Sequence, residues 1–138
     1  MEPDQEGPLV SRERTGNVVL EPLPATALTA QEARDHMSVL ERLVTRAAFD
    51  KKTAVTVRCY NNEVMSREYA RELFRLITSE YGVPKARFIS PTLDGAAHLF
   101  DAAADAGRPE ALAVFTMDDV RTGVHCKSLQ QYLTTLGY

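Results

Sequence analysis

The sequence predicts an α/β fold: a small single domain in which four short strands alternate with helices around a mainly parallel sheet. Three observations carry this expectation. Apolar residues recur at three- and four-residue intervals in four stretches, short β-branched or apolar runs lie between them, and Gly, Pro or capping residues mark the junctions. Such alternation favours parallel pairing, because each helix supplies the crossover that parallel neighbours need, and helices on both faces of the sheet are expected. A two-layer α+β sandwich is the alternative, since the strand over 54–60 carries a polar second face of Thr56, Arg58 and Tyr60, which suits a sheet edge or a two-layer arrangement.

The elements follow in order. Residues 1–16 hold Pro3, Gly7, Pro8 and Gly16, an excess of acid, and little that is apolar beyond Leu9 and Val10. They are expected to form a flexible arm, with residues 17–138 as the domain. A strand over 17–21 is stopped by Pro22 and Pro24. Thr29 and Glu32 form a capping box, and Met37, Leu40, Leu43, Val44 and Ala47 give the helix over 30–49 one apolar face. Val55, Val57 and Cys59 line one side of the next strand. Ser66 caps a second helix with Tyr69, Ala70, Leu73, Phe74, Ile77 and Tyr81 on its apolar side, and Gly82 with Pro84 ends it. A strand over 86–89 precedes a third helix over 93–106, closed by Gly107 and Pro109. The apolar run 111–117 reads as a central strand covered on both faces, and Leu129, Tyr132, Leu133 and Leu136 mark a last helix.

Composition narrows the function classes. The chain has 138 residues, 16 basic and 19 acidic, for a net charge of −3, which provides no general attraction to nucleic acid or anionic lipid. Cys59 and Cys126 lie far apart without metal or redox spacing, as expected of reduced thiols in a cytoplasmic protein. The acidic start is unlike a secretion signal, and no apolar run approaches the roughly 18 residues of a membrane span.

Candidate site residues fall into two groups. In parallel α/β sheets ligands bind at the carboxyl ends of strands, where this chain places Asn61 and Asn62, then Ser90, Thr92 and Asp94, then Asp118, Asp119 and Arg121. Their carboxylates could hold Mg²⁺ and their hydroxyls and helix starts a phosphate, although Asn, Ser, Thr and Asp also serve as ordinary caps. The second group is a ridge of Arg67, Arg71 and Arg75 at i, i+4 and i+8 on the second helix, suited to an acidic partner or to phosphates. Glu68 and Glu72 beside it can pair with Arg71 and Arg75 at i+3 spacing. Charge is also polarised along the chain, with net +4 over 42–75 and net −5 over 94–119, which suits self-association, docking, or pairing within the fold.

No nucleophile stands out. His36 belongs with the apolar side of its helix, Cys59 with its strand's core side, and adjacent His125 and Cys126 point apart. Asp94, His98, Asp101 and Asp105 share one helix face, but a single straight helix cannot surround an ion, so no bound metal and no cofactor are expected. The favoured expectation is a non-catalytic cytoplasmic binding or regulatory protein with a protein partner, as an accessory or inhibitory subunit. A metal-dependent phosphoester enzyme or nucleotide-binding domain using Asp94, Asp118 and Asp119 is the competing class. Nucleic-acid binding through the arginine ridge is third.

Overall fold

The computed structural model describes residues 10–12, 17–20, 22–43, 54–117, 119 and 125–137. Five strands form the main sheet: β1 (Val10–Arg12), β2 (Asn17–Leu20), β4 (Ala54–Arg58), β6 (Lys85–Ile89) and β7 (Leu112–Phe115), in the order β1-β2-β4-β6-β7. A second sheet pairs β3 (Thr26–Ala27) with β5 (Val64–Met65) in parallel. Among the described residues the helices are α1 (Ala30–Leu43), α2 (Arg67–Arg75), α3 (Leu93–Asp105) and α4 (Leu129–Thr135). Among the described residues no helix is long and apolar enough to cross a membrane.

The α/β alternation expected from the sequence is therefore the architecture, with β2, β4, β6 and β7 all parallel. Each crossover moves to the next strand in the same direction. With right-handed connections, that progression puts α1, α2 and α3 on one face of the sheet rather than alternating between two. Their packing agrees, since α1 lies against α2 and α2 against α3. The apolar core joins these helices to one strand parity only, Val55, Val57, Ala86, Phe88, Leu112 and Val114. Among the described residues α1, α2 and α3 therefore form one layer, while the opposite face of the sheet is also largely buried, with Thr56, Ala113 and Phe115 each 2% exposed.

Two strand placements differ from expectation. Thr56 is only 2% exposed and β4 lies between β2 and β6, so its polar second face does not make it an edge strand. Arg58 is half-buried, and its Nε donates to the Leu20 carbonyl at 2.9 Å, which satisfies a charged group within the sheet. The apolar strand β7 is buried throughout, yet it ends the main sheet instead of occupying its centre. The chain returns beside it in an antiparallel bridge between Cys126 and Val114, which covers that side.

At the start of the chain, Val10–Arg12 pairs antiparallel with β2. That part of the expected arm over 1–16 is a sheet edge, and residues 1–9 and 13–16 lie outside the described residues.

Local chemistry matches the helix starts. Glu32 N–H donates to Thr29 Oγ1 at 3.1 Å while Glu32 Oε1 accepts from the Thr29 and Leu28 N–H groups, both at 2.8 Å, completing the capping box. The second helix widens after Arg75 into a π-turn, Leu76–Glu80, in which Tyr81 N–H reaches back five residues to the Leu76 carbonyl. The wider turn buries three consecutive residues, Leu76, Ile77 and Thr78, and Thr78 Oγ1 donates to the Phe74 carbonyl at 2.8 Å.

Candidate functional site

The loops at the carboxyl ends of the strands are assembled around a buried amide. Asn62 is 5% exposed, and its Nδ2 donates to the carbonyls of Pro24 at 2.8 Å, Val64 at 2.9 Å and Ala25 at 3.3 Å. One side chain thereby ties the segment before β3 to the turn after β4. Its Oδ1 is buried and has no hydrogen-bond partner among the described residues. Of the candidate ligands, Asn62 is thus occupied in holding the loops, while Asn61 is exposed in the turn.

After β6, Ser90 adopts a φ of 56°, uncommon for a residue with a side chain, and its N–H donates to the Phe115 carbonyl at 2.6 Å. This reverses the chain into Pro91 and Thr92, and Thr92 Oγ1 caps α3 by accepting from Gly95 N–H at 3.0 Å. Tyr132 from α4 fixes the same corner through its hydroxyl, which donates to the Pro91 carbonyl at 2.7 Å. Burial pushes the Tyr132 hydroxyl up to about 12. After β7, Asp119 N–H donates to Thr116 Oγ1 at 3.1 Å. Asp118 and Arg121 lie outside the described residues.

Thr92 and Asp94 do meet in a cleft of about 510 Å³, together with Glu63, Met65, Ser66 and His98. Asn61, Asn62, Ser90 and Asp119 do not line it. Ser66 was not foreseen as part of this cleft, because its approach to Thr92 and Asp94 depends on how β5 and α2 pack against α3. Among the described residues no three His, Cys, Asp or Glu groups are arranged to hold a metal ion.

The arginine ridge lies along a groove of about 720 Å³ whose apolar lining includes Phe74, Ala102 and Ala106. Each arginine already faces a carboxylate. Arg71 Nη1 pairs with Asp105 at 2.7 Å and Arg67 approaches the same carboxylate at 3.9 Å, while Arg75 pairs with Glu72 at 2.8 Å and with Glu80 at 3.7 Å. Arg34 of α1 reaches Glu72 at 3.1 Å. The hydrogen bond from Arg75, followed by that from Arg34, holds the Glu72 carboxyl below the ordinary glutamate range. The expected pairing of Glu68 with Arg71 is not what forms: Glu68 Oε2 accepts from Ala30 N–H at 2.9 Å, where the positive end of α1 attracts it. Part of the charge polarity along the chain is therefore cancelled by contact between α2 and α3.

Compared with protein families, with curated proteins and with solved structures, the chain matches none. Its chemistry is read from its own residues. Burial pushes the Cys59 thiol far up and raises Cys126 as well, so both favour the unreactive protonated form. His36 Nδ1 lies 3.0 Å from the buried Tyr69 hydroxyl, a contact that joins α1 to α2.

The end of the sheet that carries the cleft also carries exposed apolar side chains. Leu28, Tyr60, Val64 and Met117 are between 42% and 53% exposed; Leu28, Tyr60 and Met117 come just after strands β3, β4 and β7, and Val64 begins β5 in the connection from β4 to α2. Val64 lies on the outer face of the small sheet, because its neighbour Met65 joins the core, and Leu28 comes directly after Ala27, which also joins the core.

Proposed function

We propose that this is a non-catalytic binding protein that docks a protein partner on the carboxyl-end surface of its sheet, as an accessory or inhibitory subunit in the cytoplasm. One observation carries the reading. Five large apolar residues are exposed among the described residues, and four of them, Leu28, Tyr60, Val64 and Met117, lie at that one end. Scattered exposed apolar residues need no explanation, but a concentration beside a polar cleft is the composition of an interface core with its rim. Glu63, Asp94 and His98 supply the rim. The arginine ridge supports the reading less, since an acidic partner would have to displace Asp105 and Glu72 from it.

The test is affinity capture with the full chain, the triple variant Tyr60→Ser, Val64→Thr, Met117→Ser, and a second variant reversing Arg67, Arg71 and Arg75 to Glu. The apolar triple variant is expected to keep its fold and lose its protein partner. The arginine variant is expected to retain it. Retention of every captured protein by the folded apolar variant would overturn the assignment. Light scattering over a concentration series shows whether the partner is a second copy of the chain.

A further inference from the structure

A second charged feature lies on the sheet face opposite α1, α2 and α3. Alternation along β6 sends Ala86 and Phe88 into the helix-side core, so Lys85 and Arg87 emerge on the other side. The segment returning beside β7 repeats the pattern. Cys126 N–H donates to the Val114 carbonyl at 2.7 Å and its side chain joins the core, so His125 and Lys127 on either side of it fall on the face of Arg87. Phe115 sits between two of these groups: the Arg87 guanidinium lies 4.9 Å from its ring centre and the His125 ring 5.9 Å.

Between them opens a cavity of about 410 Å³ lined by Lys85, His125 and Lys127, with Pro109 and Leu112 as apolar wall and Glu110 as the acid beside it. Lys85 Nζ donates to the backbone carbonyl of Glu110 at 2.7 Å, which fixes the ammonium in place without neutralising it. Among the described residues, Arg34, Arg67, Arg71 and Arg75 each have a carboxylate within ion-pair distance, whereas Lys85, Arg87 and Lys127 have none. In a chain of net charge −3, this is a local excess of positive charge around a cavity. Burial and then the charges of Lys85, Lys127 and Arg87 hold the His125 imidazole below its ordinary range. An anion placed in the cavity among Lys85, His125 and Lys127 would relieve that mutual repulsion.

We propose that this cavity binds a phosphate monoester, with the phosphate oxygens among Lys85, His125 and Lys127 and the organic group against Pro109 and Leu112. A dianion answers several converging cations better than a single carboxylate does, and the lysines bind it as point charges without demanding a planar fork. The site is separate from the carboxyl-end surface, because Lys85 begins its strand, so the two proposals stand or fall independently.

The experiment follows the His125 ring proton by NMR in the full chain, assigned by its loss in His125→Gln, during titration at low salt with inorganic phosphate and with phenyl phosphate. Both are expected to give saturable shifts and to raise the pH at which His125 titrates. Phenyl phosphate is expected to bind tighter through the apolar wall. Lys127→Gln, at an exposed position, is expected to weaken both by about tenfold, and Lys85→Gln serves as the second variant should the first misfold. Three results would overturn the proposal: no saturable change, unchanged affinity in a folded lysine variant, or a response to an acidic peptide but to neither phosphate. Binding of inorganic phosphate with exclusion of phenyl phosphate would assign the cavity to the free ion and overturn the ester.

Discussion

Asn62 illustrates how a polar residue at a strand end is used for architecture. Its amide supplies donors to three carbonyls from two segments, and such bonds to a buried group are worth about 1–3 kcal/mol when their loss leaves partners unpaired. Asn62→Ala is expected to lower stability by that amount in denaturant unfolding. Asn62→Asp is expected to be worse at neutral pH, because a buried carboxylate would face the same carbonyls without a donor. Burial raises such a carboxyl above its unfolded value of about 3.9, so the variant's penalty is smallest below that pH and grows as pH rises through the folded value. A variant with pH-independent unfolding would show that the amide is not held as described. The sequence exposed Asn62 as a turn residue, but its three acceptors come from backbone that only the fold delivers.

At the scale of elements, helix starts were the most legible feature. Thr29, Ser66 and Thr92 each cap the helix that their position announces, because capping uses bonds within three residues. Ser66 does more: its Oγ accepts from Tyr69 N–H at 3.0 Å and donates to the Leu28 carbonyl at 2.5 Å, linking the start of α2 to the segment after β3. Ser66→Ala is expected to cost about 1–2 kcal/mol, read by thermal unfolding, and Ser66→Thr to recover most of it. An alanine variant within a few tenths of wild type would mean that water replaces both bonds. The arginine ridge was equally legible as a spacing, yet its principal partner was not. Asp105 lies on α3, and its approach to Arg71 depends on how two helices pack.

For the whole molecule, the edge of the sheet is the most informative place to intervene. β1 is three residues long and, among the described residues, pairs only with β2. Deleting residues 1–12 is expected to leave a folded domain with the β2 edge unpaired, a melting temperature lower by roughly 3–6 °C for each kcal/mol lost, and stronger self-association. An unchanged melting temperature and an unchanged monomer fraction would show that β1 contributes nothing to the sheet.

What the sequence determined by itself was the type and order of elements. Periods of 3.6 and 2, caps and breakers act within a few residues, so α1 to α4 and the parallel strands β2, β4, β6 and β7 could be read from their own side chains. Only the tertiary structure decided the layering. The same alternation of strands and helices is compatible with helices on one face or on two, and the choice rests on the strand order, a long-range property. It likewise decided that Thr56 is buried, that β7 ends the main sheet beside Cys126, and that β3 and β5 exist at all, since two-residue strands carry no period. The site followed the same division. Thr92 and Asp94 were visible as strand-end residues, whereas the meeting of Lys85, Arg87, His125 and Lys127 required β6 and the segment after β7 to come side by side.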